Sequence, residues 1–238
     1  MPSDTGVSLN AQPPAIILQP YGLPEPFPAT ELEHSSTTRE KELTIRNSTP
    51  PASNRRYWAV LALVLSVAAT AILLHLEGRL WICACGSIHL WSGQICSANN
   101  SQHFLDAYSF THVLHGFLFF WLIAWLLKRV SGSWQLVIAV AIEGLWEVFE
   151  NTNFIIDRYR SETAALGYNG DTVINSLGDM VCCLIGFLVA RRLGWRRSLI
   201  AFAILEVALI VWIKDSLVLE ILMLVVPIDA IRSWQMCR

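Results

Sequence analysis

Charge is scarce in this chain. Only 15% of its 238 residues are Asp, Glu, Lys or Arg, against about 25% in an average soluble domain. That deficit excludes a water-exposed surface over most of the sequence. No basic tract and no RNA-binding motif is present, and the net charge is −2, so nucleic acid is not an expected partner. No HExxH or other compact metal-ligand motif occurs, and no internal repeat stands out. Proline is nearly missing beyond residue 51: nine of the ten prolines lie between Pro2 and Pro51.

What is present is apolar sequence, 54% hydrophobic and 11% aromatic. An apolar helix of roughly 20 residues crosses a bilayer. Five segments approach that length: Tyr57–Leu76, Phe110–Leu127, Trp134–Phe149, Val173–Ala190 and Leu199–Ile213. The expected fold class is therefore all-α, a polytopic membrane helix bundle. Residues 1–56, rich in Pro, Ser, Thr, Glu and Lys, lack the apolar surface to fold alone. They read as a disordered tail or, in part, as an over-extended translation start. They lack the basic-then-apolar order of a signal peptide.

Arg55 and Arg56 precede the first span, Lys128 and Arg129 follow the second, and Arg191, Arg192, Arg196 and Arg197 link the fourth to the fifth. Excess Lys and Arg mark cytoplasmic loops. Five spans put all three clusters on one side, with a cytoplasmic N-terminus. Loops 77–109 and 150–172 then face outward. The stretch Leu217–Val226, broken by Glu220 and followed by Pro227, is expected as an outer interfacial or re-entrant helix; a sixth span is the alternative.

Polar residues within these spans form stripes. Glu143, Glu147 and Glu150 share a helix face, with Asn151 beside them, because residues three and four apart are neighbours. His112 and His115 do the same, as do Asp171, Asn175 and Asp179. All lie toward the outward end. Ionisable groups facing lipid are costly, so the stripes should face one another around a cavity. Glu206 lies nearer the middle of the last span. A lone buried His or Asn in a span is commonly interhelical glue, whereas three carboxylates on one face repel unless protons or cations compensate them. Beyond the acidic stripe, Arg158 and Arg160 could clamp a phosphate, or pair with Asp157, Glu162 or lipid headgroups.

Cysteines add less. Cys83 or Cys85 could bridge to Cys96 in an oxidising compartment, with Cys85–Cys96 the pairing favoured. Zinc with His89 or His103 is the alternative, though the spacing matches no standard finger. Cys182 and Cys183 read as packing residues.

Together, several motifs resemble a family of bacterial multi-pass inner-membrane proteins known only as proteins of unknown function. They are Cys83-Ala-Cys85-Gly86, His112-Val-Leu-His115-Gly116-Phe117, Glu143-Gly-Leu-Trp146-Glu147-Val-Phe-Glu150-Asn151, Arg158-Tyr-Arg160, Gly170-Asp171-Thr-Val-Ile-Asn175 and Pro227-Ile-Asp-Ala-Ile231. The resemblance runs over most of Trp58–Gln235 and implies a location without a reaction. Two wider likenesses exist. Asp171-x-x-x-Asn175-x-x-Gly178 is similar to VanZ-type membrane proteins, linked to tolerance of glycopeptide-type antibiotics. Asn153-Phe-Ile-Ile-Asp157 and Asn175-Ser-Leu-Gly-Asp179 look like the aspartate motifs of the lipoprotein signal peptidase, each one residue longer here.

Three functions compete. A membrane-embedded enzyme would act at the outer leaflet on a lipid-linked or envelope substrate, with Glu147 and Asp179 as acid–base pair, His115 assisting and Asp157 an alternative acid. Glu143, Glu150, Asn151, Asp171 and Asn175 would line its cavity, and Arg158 and Arg160 its rim. A metal variant would place zinc or manganese on His112 or His115 with Glu147 and Asp179. A VanZ-like protein would instead bind a lipid or glycolipid headgroup. A transporter needs polar groups through both membrane halves, and here only Glu206 supplies one.

Overall fold

The computed structural model describes residues 52–93, 95–97, 99–163 and 167–236, so the tail expected over residues 1–56 lies outside the described residues as far as residue 51. The helices are α1 (Ala52–Leu76), α2 (Ser109–Leu126), α3 (Gly132–Glu150), α4 (Asn153–Glu162), α5 (Val173–Ile213), α6 (Leu217–Val225) and α7 (Asp229–Gln235). Among the described residues there is no strand, only an isolated bridge between Ser92 and Asp106. Helix α1 begins before the expected boundary at Tyr57. With Pro51 the last breaker before the apolar run, residues 52–56 join the helix as its first turns.

Four helices, α1, α2, α3 and α5, are long and apolar enough to cross a membrane. At 1.5 Å per residue a straight 41-residue α5 would reach about 60 Å, twice the hydrocarbon core. It does not run straight. Gly194 adopts φ 74°, ψ 174°, a conformation that costs least without a Cβ. The two halves then flank α2 in opposite senses. In residues 173–193, Asp179 meets His112, Cys183 meets Gly116 and Phe187 meets Phe120. In residues 195–213 the order reverses: Ser198 and Phe202 meet Trp121, and Leu209 packs with Leu114. The five expected apolar segments are therefore all present, two of them as a hairpin.

The remaining pairings fix the ends. Helices α1 and α3 run parallel, with Thr70 beside Gly144 and Leu74 clustered with Val148. Arg191 Nη1 donates to Gly132 O at 3.1 Å. Arg55, Arg56, Lys128, Arg129 and the arginines around Gly194 thus gather at one end, and the acidic stripe lies at the other. Large apolar residues such as Leu65, Ile204, Val207 and Val211 stay exposed, as surfaces in lipid contact would.

Close approach seats the central pair. A Cβ on Gly116 would lie 2.2 Å from Cys183 O, and one on Gly186 2.0 Å from Val113 O. Small residues at such crossings let membrane helices touch along their backbones. Cys182 and Cys183 are buried in this contact region, as packing residues should be.

At the acidic end, the long loop 77–109 closes the N-terminus of α5. Thr172, Val173 and Ile174 donate their N–H groups to Ser101 O, Leu80 O and Trp81 O at 3.1, 2.8 and 3.2 Å, partners that a helix start otherwise lacks. Helix α6 has nine residues, about 13 Å of rise, which is too short for a sixth crossing. It buries Leu217 and Met223 and exposes Val218, Ile221 and Val225, the pattern of an interfacial helix. Loop 150–172, read as a loop, contains a helix, α4. Thr152 Oγ1 caps it by accepting from Ile155 N at 3.4 Å, and Ile155, Ile156 and Tyr159 form its buried face.

Candidate functional site

The stripe on α3 rises seven residue steps from Glu143 to Glu150, about 10 Å along the axis, so the site is a ladder of contacts. At its deep end Glu143 is fully buried. It accepts from His112 Nδ1 at 2.6 Å and from His115 Nδ1 at 3.0 Å. One turn on, Glu147 is equally buried. His112 Nδ1 lies 3.2 Å from Glu147 Oε1, but its single hydrogen is directed to Glu143. Neither Glu147 oxygen receives a hydrogen bond. Asp179 stands on the opposite side of the same imidazole, its Oδ2 3.8 Å from His112 Nε2 and its Oδ1 without a donor. His112 is thus the hub between Glu143, Glu147 and Asp179.

At the shallow end Glu150 Oε1 accepts from Tyr159 OH at 3.0 Å, and Tyr159 OH lies 3.0 Å from Glu220 Oε1 as well. A phenol has one hydrogen, so the second contact needs a proton on a carboxyl. Burial, reinforced by Glu150, raises the Glu220 carboxyl well above its ordinary range, which favours the protonated form that would let the phenol bridge both groups. Burial with Glu150 and Glu220 alongside likewise raises Tyr159. Asp171 accepts from Asn151 Nδ2 at 2.9 Å and Tyr168 OH at 3.0 Å, and its own N–H donates to Asn151 Oδ1 at 2.7 Å. Burial and the nearby Glu150 charge still push Asp171 up to about 7.

A small cavity of about 10 Å³, room for about one water, lies against this ladder. His112, His115, Trp146 and Glu150 form its bundle wall, and Tyr159, Glu220 and Leu224 from α4 and α6 roof it. Glu147 and Asp179 sit one layer behind, reached through His112. The donor atoms of His112, Glu147 and Asp179 lie within 4.8 Å of one another, as do those of His112, His115 and Glu143, and of Glu147, Glu150 and Asp171.

Not every expected residue joins. Asp157 is exposed and pairs with Arg160 at 3.3 Å, turned away because the buried face of α4 is formed by Ile155, Ile156 and Tyr159. Arg158 donates to Leu224 O at 2.9 Å and Val225 O at 3.5 Å, capping the C-terminus of α6. Arg160 donates to Tyr168 O and to Asn169 Oδ1 at 2.7 Å. Both guanidiniums hold the roof together, so neither is a free phosphate clamp. Asn175 donates to His103 O at 2.8 Å and serves the loop. Asp171 precedes the extended N-cap Thr172 and lies outside α5, where it bonds Asn151 and Tyr168, while Asp179 lies within α5 beside His112, so that stripe is split between two neighbours. Glu206 belongs to none of the triads. Cys83 and Cys85 bond each other across the tight turn, with their Cα atoms 5.1 Å apart, and Cys96 of the same loop is also disulfide-bonded.

Tyr159 and Glu220 are the site residues that sequence reasoning missed. Tyr159 lies inside the Arg158–Arg160 motif, and Glu220 interrupts an apolar stretch. Each anomaly was visible, but nothing in the sequence paired them.

These features define the class: a polytopic helical membrane protein with a His–carboxylate cluster sealed into one end of its bundle. The chain belongs to the family described as protein of unknown function (DUF2585), whose model matches residues 74–237. It is 38% identical over 192 residues to a UPF0314 protein of Brucella anthropi, covering 81% of this chain and 97% of the relative. It is 43% identical to one of Sinorhizobium fredii (81% and 98% covered) and 45% identical to one of Novosphingobium aromaticivorans (70% and 87% covered). No solved structure matches.

Proposed function

We propose that this protein is a membrane-embedded enzyme performing acid–base chemistry, most simply hydrolysis, on a lipid-linked envelope substrate. The positive-inside bias supports the sidedness: the basic end in the cytoplasm and the acidic end at the outer leaflet of a bacterial inner membrane. One observation carries the reading. His112 and Glu150 border an outward cavity while Glu147 and Asp179 stand directly behind, with three carboxylate oxygens lacking any donor. A structural role would satisfy those oxygens, since buried polar groups are nearly always paired. His112 and Glu150 are the groups a substrate meets, and Glu147 with Asp179 would take up and return protons through His112. The headgroup-binding alternative needed Arg158 and Arg160 as its clamp, and their hydrogen bonds to backbone carbonyls count against it. A through-path finds no support in the inner half, where Ile123, Ala139 and Phe187 pack as an apolar cluster.

Complementation tests the proposal. Glu147→Gln and Glu150→Gln should each fail to restore the envelope and lipid profile of a deletion strain while reaching wild-type membrane levels. Full complementation by both variants would end the catalytic reading.

A further inference from the structure

We infer that the deep end of the ladder is a binding site for one first-row divalent cation of the zinc or manganese kind. His112, Glu147 and Asp179 are its protein ligands, and Glu143 is the carboxylate that orients His112. The inference deepens the acid–base reading and rests on it for the role of the site: with the cation in place His112, Glu147 and Asp179 hold it and proton transfer falls to Glu150, while the binding itself stands on geometry.

Three observations converge. The donor atoms of the three ligands lie within 4.8 Å of one another, and all three residues are buried. Both Glu147 oxygens and Asp179 Oδ1 lack a hydrogen-bond donor. The side chains of Glu147 and Asp179 are 0% and 5% exposed, so bulk water does not reach them. Two neighbouring carboxylates with three orphan oxygens between them need protons or a cation to balance them in such surroundings.

The third observation favours the cation. His112 Nε2 and Asp179 Oδ2 stand 3.8 Å apart, too far for a hydrogen bond. Two ligands on one cation, each bonded at about 2.0–2.2 Å, span such a gap. On its other side the imidazole donates Nδ1–H to Glu143 at 2.6 Å. A metal-ligating histidine typically donates its second ring nitrogen to a carboxylate in this way.

Neighbouring constellations compare poorly. His112 Nδ1 and His115 Nδ1 already satisfy both oxygens of Glu143, which leaves no idle carboxylate oxygen in that group. Cys83 and Cys85, which with His103 form another close group, are joined to each other. One imidazole and two carboxylates suit zinc or manganese rather than copper(I), and are too few oxygens for calcium. Three protein ligands leave a position for water, as in catalytic zinc centres.

The test uses the full chain in detergent, stripped by chelator and titrated with Co²⁺, Mn²⁺ and Zn²⁺ alone. About one equivalent should bind, with Co²⁺ giving visible bands free of thiolate charge transfer. Glu147→Gln and Asp179→Asn should each weaken binding at least about tenfold, and Glu143→Gln about 10–100-fold. A Cys83→Ser/Cys85→Ser variant should bind as wild type does. Less than about a tenth of an equivalent in the wild type overturns the inference, as does binding that survives Glu147→Gln but is lost with the two cysteines. Should a cluster variant fail to fold, the wild-type stoichiometry and Co²⁺ spectrum still decide. Stoichiometric metal together with full complementation by Glu147→Gln sustains this site and removes the enzyme. Absent metal together with failed complementation removes the site and leaves acid–base chemistry standing.

Discussion

Glu143 and Glu147 are one helical turn apart on the same face, and both are completely buried. Glu143 accepts from two imidazoles, whereas Glu147 has no donor on either oxygen. The contrast separates two uses of a buried carboxylate. A compensated one fastens helices α2 and α3 together. An uncompensated one raises the energy of the folded state, and its persistence points to a proton, a cation or a substrate that completes it.

Substitutions can break that contrast. The largest effect expected is Glu147→Gln, about 10²–10⁴-fold in turnover if Glu147 moves protons, measured as substrate accumulation in a complemented deletion strain. Its thermal midpoint, read on chelator-stripped protein, should stay level or rise, since an unpaired charge is removed. Glu143→Ala should do the opposite first: it leaves two imidazoles without their acceptor and lowers stability by about 3 kcal/mol or more, read as a lower midpoint in detergent. If the two variants lose stability equally, the distinction between the residues fails.

The shallow end offers a gentler test. Asp171 titrates at about 7 in the folded protein, raised chiefly by burial, against 3.8 ordinarily. A carboxyl raised on folding gives stability that is complete below its unfolded value and lost as pH rises through the folded one. The thermal midpoint should therefore fall as pH climbs from about 4 to about 7, and Asp171→Asn should flatten that slope. The smallest effect belongs to Tyr159→Phe. It removes the hydroxyl shared by Glu150 and Glu220 and costs about 1 kcal/mol. Hydrogen exchange in α4 and α6 should rise more than in α2 or α3. Uniform exchange across all four helices would show that the roof is not held separately.

Much of this was legible beforehand. The apolar runs set the five spans, and the spacings of 143/147/150 and 112/115 set two facing stripes, because helical periodicity is a local property. What escaped depended on tertiary choice. Arg158 and Arg160 have long side chains that can reach many partners, and the carbonyls they chose lie in α6 and in the segment before α5. Asn175 kept the right spacing but turned to the loop carbonyl of His103. Cysteine connectivity cannot be deduced from spacing alone. The polar roof was hidden for a related reason: Tyr159 and Glu220 lie 61 positions apart.

The capping of α5 by loop 77–109 bears on biogenesis. The N–H groups of Thr172, Val173 and Ile174 are satisfied by Ser101, Leu80 and Trp81, residues made well before α5 leaves the ribosome. In the proposed orientation that loop is exported first and waits as a half-finished cradle. Asp179 can reach His112 only once the start of α5 has docked there, so the cluster closes late in synthesis. Until then the carboxylates of α3 have only the imidazoles of α2 as partners, and the roof helix α6, with Glu220, follows last.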